Sequence, residues 1–338
     1  MQTRKNKNRT KEGLQMGNDF LFVSDIHGRN AKLEAELLLI AQNKQPKPKI
    51  VTFTGDIVGT DLLDQLQKLF YNGVYNNIKK LLAANPNPTD QEILLYSAGQ
   101  ERTLAEGIVD LWKFLDGISF FNADYFHMAD YAKKLAKYVH FGHFVSNLPP
   151  EIKAVLQKNM EVNAMNWANI MTKFTDQGVM VAVVQGNWDA RHPLDFYPTE
   201  ECKPLPIEER SFYFKDFLKS LNEKILYFDE TSIIETEEEI LVMLPFDSCI
   251  NLDLPEKIEI DKKIILVSHA QVDWHAIKGD IPMTGEGEKI QENMKKIIEH
   301  LRPDYIIHGH LHDPGEDYLF NQTQVKYLPL GTCRFIDF

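Results

Sequence analysis

Asp25 and His27 stand two positions apart at the end of an apolar run, Phe20-Leu21-Phe22-Val23. A strand would carry the carboxylate to its carboxyl end, and a turn at Ile26 lets the imidazole face the same small volume. Such a pair suits one metal ion. Gly28 then allows a close backbone turn before a helix begins. Four more apolar runs end in the same manner. Ile50–Thr54 stops at Gly55-Asp56, and Val179–Val184 at Gln185-Gly186-Asn187-Trp188-Asp189. Ile264–Val267 stops at Ser268-His269, and Tyr305–Ile307 at His308-Gly309-His310-Leu311-His312. Each residue alone has an ordinary reading: Asp56 as a helix cap, Asn187 as a turn residue, His269 as a hydrogen-bonded core histidine. Five strand ends with one shared character favour a common purpose.

Asp25, His27, Asp56, Asn187, His269, His310 and His312 therefore form a candidate ligand set. Seven groups exceed the four of a tetrahedral zinc, and they divide between two divalent ions if one carboxylate bridges. Carboxylate, imidazole and amide oxygen without thiolate suit Mn²⁺ or iron, with zinc, nickel or cobalt also accommodated. Two ions about 3.5–4 Å apart are a known device for in-line phosphoryl displacement. They bind the phosphoryl oxygens and hold a bridging water whose pKa is drawn toward neutrality.

The elements that must position these groups alternate in type. Arg29 to Asn43 has Leu33, Leu37, Leu38 and Ile40 spaced for one buried helical face, and Pro46 and Pro48 end it. Strand, helix and strand thus place acids at strand ends, where open α/β sheets put their sites. Residues 61–177 change texture: Leu62–Tyr71, Ile78–Ala83, Gln91–Leu115, Tyr125–Phe141 and Glu151–Phe174 all carry helical patterns. Pro86, Pro88, Pro149 and Pro150 punctuate them. An all-helical block between strand-rich halves reads as an insertion, a cap over or beside the sheet. Its Tyr125, Phe126, His127, His140, Phe141, His143 and Phe144 read as core rather than as a site. An irregular loop is expected between Pro193 and Pro206, then a helix over Phe212–Leu221. Ile225–Phe228, Ser232–Glu235 and Ile240–Leu244 follow as short strands, expected to be antiparallel to one another. A helix over Lys289–His300 and tail strands at Val325–Leu328 and Arg334–Phe338 complete the reading.

Composition bounds the partners. The net charge of −12 argues against an affinity built on neutralising a long phosphate backbone, and no basic stripe with interleaved aromatics supports a nuclease. A small phosphorylated substrate remains open, because a bound cation reverses the local field. Cys202, Cys249 and Cys333 are too few and scattered for a disulfide framework and fit a reducing, cytoplasmic setting. No apolar run approaches the roughly 18 residues of a membrane span. Met1 to Gln15 are polar and basic, so residues 1–17 are expected to be a disordered leader. A homo-oligomer is left open.

The ordered motifs Asp-x-His, Gly-Asp, Gly-Asn-x-Asp, a lone His and Gly-His-x-His resemble those of the calcineurin-like metallophosphoesterases. The resemblance covers about residues 18–60 and 178–338. It implies an α/β, four-layer αββα sandwich of two mixed β-sheets with flanking helices, with 61–177 inserted. It implies that Asp25, His27 and His312 hold one ion, that Asn187, His269 and His310 hold the other, and that Asp56 bridges. The activity implied is hydrolysis of a small phosphodiester or phosphomonoester by a hydroxide bridging the two ions.

The chain departs from that pattern twice. Trp188 stands where the family has a histidine that contacts the scissile phosphate and protonates the leaving group. Indole has no acceptor and cannot shuttle a proton at neutral pH. His192, four residues on, is the nearest candidate replacement, and Arg191 is a candidate phosphate contact. After Asp56 the run is Ile57-Val58-Gly59-Thr60, without the aspartate and arginine of phosphoprotein phosphatases. That favours the small phosphodiesterase-like members. A catalytically silent scaffold on the same fold is the alternative; the retained imidazoles of His27, His269, His310 and His312 argue against it.

Overall fold

The structure, a computed structural model, describes residues 19–28, 30–42, 47–60, 63, 145, 148, 150–190, 214–254, 261–272, 286–310 and 316–338. Four all-apolar residues form β1 (Phe20–Val23), and Asn30 then caps α1 (Ala31–Ala41), its side-chain oxygen accepting from the Leu33 amide at 3.1 Å. Leu33, Leu37 and Ile40 lie on the buried face of α1, as their spacing requires. β2 (Ile50–Phe53) follows. α2 (Pro150–Thr175) opens on a proline, whose fixed φ suits a first helical position. β3 (Met180–Val184), a single turn α3 (Asn187–Ala190), α4 (Phe214–Leu221) and β4 (Ile225–Phe228) come next. β5 (Ser232–Glu235), β6 (Glu239–Leu244), α5 (Phe246–Asn251) and β7 (Lys263–Ser268) lead to α6 (Glu286–Leu301). β8 (Tyr305–His308), β9 (Tyr318–Phe320), β10 (Thr323–Tyr327) and β11 (Cys333–Ile336) end the chain.

The strands make two mixed sheets, ordered β11-β1-β2-β3-β4 and β5-β6-β7-β8-β10-β9. Side-chain alternation sorts their faces. Phe20 and Phe22 of β1 and Val184 of β3 pack with Leu241, Met243, Val267 and Ile307 between the sheets. The intervening residues Leu21, Val23, Val51 and Val183 turn instead to α1, α2 and α4. On the other side Val242, Leu266 and Ile306 meet α5 and α6. Helix, sheet, sheet, helix is the expected four-layer sandwich, and each fully buried Leu or Phe in it contributes about 1.5–3 kcal/mol.

One strand sits elsewhere than the sequence suggested. β4 pairs parallel with β3 in the first sheet, whereas only β5 and β6 form the expected antiparallel pair. The physical reason is the crossover: α4 lies between β3 and β4, and a helical crossover returns the chain parallel to its start. Asp229–Thr231 then carries the chain from one sheet to the other.

The last helix of the stretch read as an insertion, α2, is part of the outer layer. Leu156, Met160, Trp167 and Phe174 are buried against the first sheet. The other helical expectations between 62 and 141 and the aromatic-histidine cluster lie outside the described residues, apart from Leu63. So do residues 1–17, Arg191, His192 and His312. Among the described residues no helix is long and apolar enough to cross a membrane.

Candidate metal centre

β1, β2 and β3 run parallel side by side, as do β7 and β8, so each trio or pair delivers its carboxyl ends to one edge. Asp25, Asp56, Asn187, His269 and His310 follow those ends and meet between the sheets. His27 Nε2 and His269 Nε2 each stand 3.3 Å from Asp56 Oδ2. His269 Nε2 is also 2.7 Å from Asn187 Oδ1 and 3.0 Å from His310 Nδ1. Asp25 Oδ1 lies 3.6 Å from His269 Nδ1. Two groups able to hold a metal ion result, Asp25 with His27 and Asp56, and Asp56 with His269 and His310; within each, the donor atoms lie within 4.8 Å of one another. Asp56 belongs to both.

Backbone geometry is specialised here. His27 (φ 49°), Asp56 (φ 48°) and His310 (φ 71°) all adopt the left-handed region, which costs an ordinary residue roughly 1–3 kcal/mol and persists where surrounding structure enforces it. The enforcing bonds are visible. The Asp56 carbonyl accepts from the Ile26 and His27 amides at 3.0 and 2.9 Å. Asp25 Oδ2 accepts from the His310 amide at 2.6 Å. His269 Nδ1 lies 2.9 Å from the Thr54 carbonyl oxygen; a carbonyl only accepts, so Nδ1 carries the proton and Nε2 is left to face the carboxylate and amide oxygens.

The charges respond to burial and to one another. Burial raises Asp25 well above the carboxylate range, with Asp56 adding to this and His269 opposing it. Burial pushes Asp56 up too, but His269, His27 and His310 outweigh it and hold that carboxylate well below its usual range. Burial lowers His27 to about 4. It also works against charge on His269, yet the Asp56 and Asp25 carboxylates win and raise it to about 9. A compact set of buried acids and imidazoles with one carboxylate common to two clusters fits divalent cations, which supply the charge that burial otherwise penalises.

Three features escaped sequence reasoning. Asp189 is 5% exposed and spends its carboxylate on backbone amides: Oδ1 accepts from Ile57 and Val58 at 3.1 and 3.0 Å, Oδ2 from Gly186 at 3.0 Å. It ties the loop after β2 to the loop after β3, and the only signal was its place in the Gly-Asn-Trp-Asp run. Phe246, at the start of α5, packs on His269 and His310 with ring centroids 5.8 and 5.7 Å away. Asn163 and Trp167, one turn apart on α2, donate to the carbonyl oxygens of Gly59 and Gly28. A polar residue and a tryptophan four apart on a buried helical face were the available hint.

A two-sheet sandwich with a paired Asp/His centre at its strand ends defines the class. The sequence pattern of the calcineurin-like phosphoesterases matches residues 107–314, well over half of the chain, and the chain belongs to that family. The match contains Asn187, His269, His310 and His312 and begins beyond Asp25, His27 and Asp56. No curated protein matches the chain. Family and clusters together fit a metal-dependent phosphoesterase that uses divalent metal ions.

Proposed function

We propose that this chain hydrolyses a small phosphodiester or phosphomonoester with the help of two divalent ions. The observation that carries the reading is Asp56, whose carboxylate is shared by two Asp/His clusters. Asp25 and His27, joined by His312, would hold one ion; Asn187, His269 and His310 would hold the other; Asp56 would span both. When bound, the pair would neutralise the phosphoryl oxygens and activate a water for in-line attack. Nitrogen and oxygen donors without thiolate favour Mn²⁺ or iron over zinc, nickel or cobalt.

The chain's own groups do the rest. Asp56 stays ionised because three imidazoles face it. Trp188 and Phe246 wall the centre with apolar rings, which excludes water and strengthens its electrostatics. His192 is assigned the leaving-group proton that Trp188 cannot give, with Arg191 as a phosphate contact. Ile57 and Val58 are buried and their amides are engaged by Asp189, which leaves that loop no part in gripping a phosphoprotein and favours a phosphodiester. Within residues 61–177 the stretch preceding α2 would act as the substrate-selecting cap. Cys249 and Cys333 are free thiols, in keeping with a reducing, cytoplasmic setting.

The test is hydrolysis of bis(4-nitrophenyl) phosphate with added Mn²⁺ by the full chain, Asp56→Asn and His269→Ala. Loss at both positions, heavier for Asp56→Asn because both ions depend on it, is expected; activity indifferent to both removes the reading. Trp188 favours one rival, a catalytically silent scaffold. That rival predicts no turnover on any diester or monoester panel together with stable co-purification of a partner.

A further inference from the structure

We infer that α2 is a clamp that sets the position of His27, with Trp167 and Asn163, both more than 100 positions from the first two motifs, as its positioning residues. The inference rests on the dinuclear reading for its consequence but not for its geometry. Trp167 is fully buried, and its Nε1–H donates to the Gly28 carbonyl oxygen at 2.5 Å. Asn163, one turn earlier, donates through its side-chain amide to the Gly59 carbonyl oxygen at 3.1 Å. Gly28 adjoins His27; Gly59 lies three residues beyond Asp56.

The backbones of the two loops so gripped come into direct contact at Gly28 and Gly59. A Cβ on Gly59 would stand 2.7 Å from the His27 carbonyl carbon and 2.9 Å from its Cα, and one on Gly28 would stand 2.9 Å from the Thr60 Cα. The Asp56 carbonyl ties the loops from within, accepting from the Ile26 and His27 amides at 3.0 and 2.9 Å, and a contact this close to a left-handed residue calls for a second hold on its outer side. α2 provides it, with its neighbouring turns fixed by Met160, Ala164 and Met171 in the core. His27 needs that support because its backbone is left-handed.

Asp56 is different. Its carboxylate accepts from the Trp188 amide at 2.7 Å, and Asp189 holds the two following amides. The β3 side thus secures Asp56 independently of α2. Loosening α2's grip should move His27 and spare the second cluster, Asp56 with His269 and His310.

The experiment uses the full chain, Asn163→Leu, which is close in size and removes a donor, and Trp167→Phe, which removes the donor together with part of the buried ring. Mn²⁺ titration by calorimetry is expected to show two sites in the parent. In the variants one site should weaken by about 10–100-fold, the range for removing groups that orient ligands, while the other is unchanged. Equal weakening of both sites would mark a general packing defect, and no weakening would leave α2 without a positioning role; either overturns the clamp. A parent that binds no Mn²⁺ would defeat the dinuclear reading instead. Amide hydrogen exchange in the metal-free protein then decides the clamp by itself. Faster exchange at Ile26 and His27, with β7 unchanged, supports it, and unaltered exchange there overturns it.

Discussion

Trp188 stands edge-on to His27, with ring centroids 4.5 Å apart and planes at 88°. The indole is 6% exposed and is a wall of the candidate centre, set where relatives place a proton donor. Because a wall donates no proton to a departing alkoxide, the proposed function gives that burden to His192. Rates over a series of aryl phosphodiesters should then depend weakly on leaving-group pKa in the parent and steeply in His192→Ala. For poor leaving groups the loss should be about 10²–10⁴-fold, the usual worth of a general acid, with nitrophenyl esters nearly unaffected. A steep dependence in the parent itself would take the role away from His192.

Gly186 offers a way to disturb the centre without touching a ligand. A Cβ there would collide with the Asp56 carboxylate oxygen and the Asp56 amide nitrogen. Both are fixed, so Gly186→Ala must displace the shared carboxylate. Bound metal, read by elemental analysis after dialysis, should fall for both ions, and hydrolysis with it. Retention of both ions at parental occupancy would show that Asp56 is not the common ligand.

Much of this arrangement was legible in the sequence because strands ending in Asp, Asn or His announce themselves by the break from apolar to polar. The sandwich was implied by the family resemblance that the ordered motifs carry, and the described strand ends do converge. What was not legible has a common cause. Ile225-Leu226-Tyr227-Phe228 is apolar throughout, so it carries no alternation to say which sheet it joins. Tyr318-Leu319-Phe320 is too short to stand out, and Leu319 is exposed. Asp189 reads as one more acid near a site; its work depends on which amides it meets, 131 and 132 residues away. Trp167 and Gly28 are 139 apart. Local pattern reveals strand ends, but pairings across the fold exist only after it forms.

Asp189 should prove structural in a specific way. Three buried amides rely on its two oxygens, and Asn supplies only one oxygen, turning an N–H toward amides that themselves donate. Each buried donor left without an acceptor costs about 1–3 kcal/mol. Asp189→Asn should therefore lower unfolding free energy by at least that much in urea, and should weaken both metal sites, because the loop after Asp56 loses its tie to β3. Unchanged stability would mean that those amides find other acceptors.

Acidity separates the metal-free from the metal-loaded protein. His269 is raised from 6.5 to about 9, so without metal its protonated form stabilises the fold fully below pH 6.5 and ceases to do so as pH rises through 9. Asp25, raised to about 7 from 3.8, likewise gives up stability as pH climbs to 7. There His27 works the other way: lowered to about 4, it contributes stability above 6.5 that is lost as pH falls toward 4. The window from 7 to 9 therefore isolates His269. Metal ligands are bound deprotonated, so the loaded protein has no such loss to suffer. The gap in Tm between Mn²⁺-loaded and EDTA-treated protein, followed by calorimetry, should widen steadily from pH 7 to 9 and should stop widening in His269→Gln. A gap that is constant across this range in the parent would mean that His269 carries no proton for a metal ion to displace.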